Sequence, residues 1–234
     1  MRRDSRLVGV LLLTLLLLVS VTTWAATASS TFATADNPLS EGGNWVTGIG
    51  NFNELNIPIG GGVAQSSLDN GNAFWSESGG PGSVNFGDDQ YSKITISDAT
   101  KKSWNLTVRT GPADHTCYYL ENGGADTWDL YYRDGAGTFN ALTTFATQAL
   151  SNGDAVELRI VGNQVSVFRE SPAGSNRTQI GSTYTDNANN KLTGGQPGLG
   201  EWTTGGAQIT AWEGGDAPPT GCRPGSLMLM GVGC

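Results

Sequence analysis

Histidine, lysine and cysteine are scarce in this 234-residue chain, which has one His, four Lys and three Cys. With a single histidine, His115, a Ser-His-Asp triad or a histidine-built metal hydrolase would rest on one side chain. That residue follows the turn Gly111-Pro-Ala-Asp114 and reads as a loop histidine. A Cys117/His115 nucleophile fails as well, because Cys117 lies on an apolar extended run and reads as a buried, inward, free thiol. No glycine-rich stretch leads into a helix or a Lys-Ser/Thr pair, which excludes a phosphate-binding loop. No segment of ten or more residues keeps a helical period, and no fixed-period repeat occurs. The nearest approach to a helix, Asn140–Leu150, reads equally well as a strand plus loop because of its threonines. Basic charge is also short: the formal net charge is −8. Phosphate backbones need a basic patch, so nucleic acid is excluded as a partner, and anionic membrane surfaces with it.

The single long apolar run is at the start. Arg2 and Arg3 precede Leu7–Val21, and Ala26-Thr-Ala28 follows. This is the layout of a cleaved secretory signal peptide over 1–28, too short to serve as a membrane span, so the product is expected outside the cytoplasm: secreted, periplasmic or at the cell surface. Cleavage would remove Arg2, Arg3, Arg6 and Asp4, leaving ten basic and twenty acidic side chains, a net of −10. A leader also places the chain where disulfides form. Cys222 and Cys234 flank a short tail and can close a loop worth roughly 2–3 kcal/mol.

Glycine, by contrast, is abundant (34 residues), and seven Trp, seven Phe and six Tyr are spread along the chain. That combination describes many short strands joined by tight turns, not disorder. The clearest runs lie between Trp104 and Glu170: Trp104–Arg109, Cys117–Leu120, Trp128–Arg133, Ala155–Ile160 and Asn163–Phe168. Gly123-Gly124, Asp134-Gly135 and Gly162-Asn163 separate runs as hairpin turns. Ser92–Ser97, Thr178–Tyr184, Leu199–Trp202 and Ala207–Trp212 add further strands, while Pro58 demotes Leu55–Ile59 to an edge or irregular piece. About a dozen strands in one domain imply an all-β, two-sheet antiparallel jelly-roll sandwich over 29–216, followed by a tail over 217–234. With Leu106, Val108, Leu130, Val156, Leu158 and Ile160 inward, alternation puts Arg109, Asp129, Tyr131, Arg133, Glu157 and Arg159 on the opposite face. These six are the candidate ligand-binding set; the same residues would equally form cross-strand ion pairs on a solvated face. Trp45, Trp75, Trp104 and Trp128 are expected in the core or its rim; Trp202 and Trp212 are read as structural too, with a loop rim as the alternative.

Asp36-Asn-Pro-Leu-Ser-Glu-Gly-Gly-Asn-Trp45, Asp89-Gln-Tyr91, Leu106-Thr-Val-Arg109, Gly153–Gly162 with Gln164–Val167, and Gln196–Gly200 occur in an order that resembles concanavalin A-like (laminin G-like) lectin/glucanase jelly rolls of secreted bacterial or phage proteins. The resemblance spans about residues 30–216. It implies the concanavalin A-like fold and carbohydrate as a ligand class. It also implies a calcium site joining an N-terminal to a C-terminal carboxylate, parts that Asp36 and Asp216 would take, although calcium needs six to eight oxygens. Glycoside hydrolases of this fold set carboxylates two residues apart on one strand, as Glu-x-Asp-x-x-Glu or Glu-x-Asp-x-Glu, and this chain has neither. Glu121, Asp126 and Asp129 are its nearest acidic group, and Asp129 with Glu157 would be the spaced pair of a divergent enzyme. The expectation is therefore a secreted, non-enzymatic module binding a polysaccharide, glycoconjugate or other surface ligand. The alternatives are a structural or adhesive subunit that self-assembles through its tail, and a divergent glycan hydrolase or lyase.

Overall fold

The computed structural model describes residues 25–48, 52–123, 125–187, 192–203 and 208–217. Most of the expected leader and all but Ala217 of the tail, with Cys222 and Cys234, lie outside these residues. Fifteen strands are present, and no helix occurs among the described residues. They are β1 (Thr27–Ser30), β2 (Trp45–Thr47), β3 (Leu55–Asn56), β4 (Gln65–Ser66), β5 (Gly71–Trp75), β6 (Gln90–Ile96), β7 (Trp104–Thr110), β8 (Cys117–Asn122), β9 (Trp128–Arg133), β10 (Phe139–Phe145), β11 (Ala155–Val161), β12 (Gln164–Glu170), β13 (Arg177–Thr185), β14 (Gln196–Glu201) and β15 (Ile209–Asp216).

Two large antiparallel sheets form a jelly-roll sandwich. One has six strands in the order β1-β15-β6-β11-β12-β13; the other has seven, β10-β9-β8-β7-β14-β5-β2. Consecutive strands repeatedly change sheet, as β5, β6 and β7 do, which is why the neighbours of β14 come from distant parts of the chain. The expected inward residues fill the space between: Leu106, Val108, Leu130, Val156, Leu158 and Ile160 are all buried there. Asn140–Leu150 resolves as β10 followed by an extended loop.

At one end of this core, Trp45 packs edge-on against Trp75 (5.0 Å) and Trp212 (4.6 Å), while Trp75 and Trp212 stack at 5.3 Å. Trp212 is thus a core residue, in keeping with its structural reading and not with the rim alternative. It follows the inward phase of β15, and its indole N–H donates to the Ser92 hydroxyl at 2.9 Å. Trp104 and Trp128 stack at 6.2 Å further along. Burying such rings removes roughly 150–250 Å² each from water, so the indoles supply much of the core's driving force.

Candidate functional site

Alternation along the seven-stranded sheet sends a second set of side chains away from the core. The register aligns them in ranks across the sheet. One rank runs Asn72, Gly200, Asn105, Glu121, Asp129 and Thr144, from β5 through β14, β7, β8 and β9 to β10. The next runs Phe74, Gly198, Thr107, Tyr119, Tyr131 and Ala141. Gly200 has no room for a Cβ, which would stand 2.4 Å from both the Gly71 carbonyl and Asn105 Oδ1. Its bare backbone lets Asn72 donate to Asn105 Oδ1 across β14 at 3.1 Å.

An aromatic cluster covers the far half of these ranks. Tyr119 meets Phe139 edge-on at 4.9 Å, Tyr131 lies 6.4 Å from Tyr119, and Phe52 stacks over Tyr119 at 6.5 Å. Phe139 in turn contacts Trp202 at 6.4 Å. Trp202 remains 44% exposed, and Tyr131 and Phe139 are half-buried. A stepped aromatic surface therefore adjoins the Glu121/Asp129 carboxylates. Asp129 accepts bonds from the hydroxyls of Thr144 (2.5 Å) and Thr127 (3.2 Å). Burial raises the pKa of Glu121, and the neighbouring Asp129 charge raises it further, against a lowering hydrogen bond from Tyr131. Beneath the surface, Asn72 Oδ1, Asn105 Nδ2, Thr107 Oγ1 and the Tyr119 hydroxyl are buried without a well-formed partner in the protein. Such groups are costly unless water or a ligand satisfies them.

The six residues expected to share a face do not. Asp129 and Tyr131 belong to this surface. Arg133 begins in the same phase but is buried, donating to the carbonyls of Asp114 (3.2 Å) and His115 (2.9 Å), with its guanidinium 4.5 Å over the Phe52 ring. Glu157 and Arg159 lie on β11, on the outer face of the other sheet. There Arg177 pairs with Glu157, Lys93 pairs with Glu213 (3.0 Å), and the Tyr91 hydroxyl donates to Glu213 (2.5 Å). Asp129 and Glu157 consequently cannot act on one substrate bond.

Arg109 departs furthest from expectation. A bulge between β7 and β14 breaks the alternation, and Arg109 adopts a left-handed φ of 55°. Its side chain turns into the end of the sandwich and donates to the carbonyls of Asp88 (2.6 Å), Leu192 (2.7 Å) and Gly162 (2.7 Å). It is a clamp for three loops.

Asp36 and Asp216 lie beyond opposite ends of β1, each bonded to its own loop. Asp36 Oδ2 accepts the backbone N–H groups of Ser40 (2.8 Å) and Glu41 (2.5 Å), beyond the Ser30 end of β1. Asp216 sits at the Thr27 end, accepting from Ala26 (3.0 Å) and Gly87 (2.7 Å). Among the described residues no group of three or more His, Cys, Asp or Glu is placed to hold a metal.

His115 and Cys117 lie under Phe52, on the outer side of β8 and not in the inter-sheet core where Cys117 was expected. Burial holds the His115 imidazole down at about 4, with Arg133 adding to the effect, and pushes the Cys117 thiol up to about 12. Neither is poised as a nucleophile or base at neutral pH. Glu121 stood in the sequence only as part of an acidic group with Asp126 and Asp129, and the β8–β9 register is what sets it beside Asp129; Trp202 stood there only as a rim alternative, and Phe52 and Phe139, brought in by a loop and an edge strand, were missed. The Tyr119/Tyr131 phase was the one readable signal.

No family model matches the sequence, and no curated protein matches it. Among solved structures, the chain is similar to the carbohydrate-binding module CBM66 from Bacillus subtilis, with 15% identity over 74% of this chain and 94% of that one and a TM-score of 0.49. It is also similar to basic winged bean lectin with Tn-antigen (11% identity, 82% and 99% covered, TM-score 0.48). A third is the exoplasmic/lumenal domain of VIP36 in a Ca2+/Man3GlcNAc-bound form (10% identity, 75% and 84% covered, TM-score 0.46).

Proposed function

We propose that this chain is an exported, non-enzymatic module that binds carbohydrate on the outer face of its seven-stranded sheet. The observation that carries the reading is the surface of exposed Trp202 with half-buried Phe139 and Tyr131, standing next to the Glu121/Asp129 pair. Sugar rings present apolar C–H faces and a rim of hydroxyls. Aromatic rings take the first at little entropic cost, and carboxylates and tyrosine hydroxyls accept and donate to the second. Because Tyr131 and Phe139 stand on paired strands, that part of the platform is formed before the ligand arrives, which limits the ordering cost of binding. The buried amides of Asn72 and Asn105 brace the strands beneath it.

A glycan array probed with the mature protein tests this, followed by titration of the best glycan against Trp202→Ala. Binding that is lost with Trp202 supports the reading; binding untouched by that change, or none to any glycan, rejects it.

One observation favours a second reading. Glu121 and Asp129 are register partners, so their Cβ atoms are expected about 4.5–5.5 Å apart. One has a raised pKa, an arrangement that could serve glycoside hydrolysis as acid and nucleophile. Reducing-sugar release abolished by Glu121→Gln would establish that activity.

A further inference from the structure

We infer that the leader is cut between Ala25 and Ala26, and that the α-ammonium group so created pairs with the Asp216 carboxylate. Of the three alanines in Ala25–Ala28, two have small residues at the first and third positions before a cut that follows them, as the rule for leader cleavage asks: Thr23/Ala25 and Ala26/Ala28. They differ in what they leave behind.

A cut after Ala28 removes residues that the fold uses. Thr27 and Ala28 are half of β1 and pair with Gly215 and Gly214 of β15. Ala26 and Ala28 pack against the main hydrophobic core. Ala26 continues the ladder by accepting the Asp216 N–H at 2.8 Å. The sequence of β15 is shaped around this segment: a Cβ on Gly215 would stand 2.3 Å from the Ala26 carbonyl oxygen and 3.0 Å from Thr27 Cα. A glycine kept free of a side chain by Ala26 and Thr27 has no purpose in a mature chain that has lost them.

A cut before Ala26 keeps all of these contacts and changes one. The Ala26 nitrogen already stands 3.0 Å from Asp216 Oδ2, while Oδ1 accepts Gly87 N–H at 2.7 Å. Hydrolysis adds water across the Ala25–Ala26 amide. Ala25 departs as a carboxylate with the leader, and the Ala26 nitrogen takes up a proton. The bond from a neutral N–H to the Asp216 carboxylate then becomes one between opposite charges, which adds Coulomb attraction to it. Processing by a leader peptidase would thus complete the β1–β15 seam as well as release the protein.

The full chain, expressed with its own leader in a secreting bacterial host, is to be read by N-terminal sequencing and intact mass. The expected product begins Ala26-Thr-Ala-Ser-Ser30; one that begins at Ser29, or that keeps its leader, overturns the assignment. The pairing has a separate readout. Chains starting at Ala26, with the α-amino group free or acetylated, are melted as wild type and as Asp216→Asn. Acetylation is expected to lower the wild-type midpoint by about 3 °C, the scale for a domain of this size, and to leave the Asp216→Asn midpoint unchanged. An equal shift in both backgrounds, or none in wild type, overturns the ion pair.

Discussion

Trp202 can be removed at little structural cost, because its indole is 44% exposed. Trp202→Ala is therefore expected to leave the melting midpoint within about 2 °C while weakening glycan affinity tenfold or more, about 1.4 kcal/mol. Calorimetric titration beside a thermal melt separates the two. Glu121 makes a prediction in pH. Its folded pKa lies above the unfolded value, so the native state binds the proton more readily. The stability this confers is fully present below the unfolded pKa, about 4.3 for Glu, and is lost as pH rises through the folded pKa. Glu121→Gln should therefore melt higher than wild type at pH 7, with the advantage gone near pH 4; a constant difference across that range would deny the raised pKa. Arg109 carries no such role in binding. Arg109→Leu leaves three loop carbonyls without their donor, which should cost about 3 kcal/mol or more and show as a drop of about 6–12 °C in the melting midpoint.

Strand β14 does for the sheet what no side chain could, by keeping a bare backbone between Asn72 and Asn105. Gly200→Ala pushes a Cβ against the Gly71 carbonyl and the Asn105 amide. The expected loss is about 1–3 kcal/mol, with the Asn72–Asn105 bond broken and glycan affinity reduced, read by melt and titration together. Most elements were legible in the sequence because each depends on local facts. Trp128–Arg133 matches β9 residue for residue, and turn residues mark both of its ends. The alternation that buries Leu158 and Ile160 is likewise a property of one strand. Three things were not local. The bulge that turns Arg109 inward arises from pairing with β14, some ninety residues away in sequence. The assignment of β9 and β11 to different sheets follows from the chain crossing over after β10, so Asp129 and Glu157 have the same phase but opposite outlooks. Glu121 reaches Asp129 through register, whereas Asp126, in the turn between them, is drawn off to Lys102 at 2.6 Å.

At the scale of the whole molecule the two outer faces have divided the polar residues between them, and a prediction follows from the division. The six-stranded face carries Lys93, Glu157, Arg159, Arg177 and Glu213, whose charges answer one another within the face. The partly exposed Lys93–Glu213 pair is worth little, about 0–1 kcal/mol, and Glu157 and Arg159 are buried, so a ligand would have to break pairs to reach most of this charge. The seven-stranded face places two carboxylates side by side with no ion pair to either among the described residues, and sets aromatic rings beside them. Like charges held together in this way favour a neighbour that donates hydrogen bonds, as sugar hydroxyls do. Neutralising one face should therefore matter and the other should not. Asp129→Asn is expected to weaken glycan affinity about fivefold or more, roughly 1 kcal/mol, with little change in stability. Glu213→Gln, on the opposite face, should leave affinity within twofold even though it removes the charge that pairs with Lys93 and one of the two oxygens that accept from Lys93 and Tyr91. Titrating both variants with the same glycan decides the matter. Loss of binding in Glu213→Gln with Asp129→Asn unaffected would move the ligand to the charged face, and equal loss in both would mean that the sandwich responds as a whole.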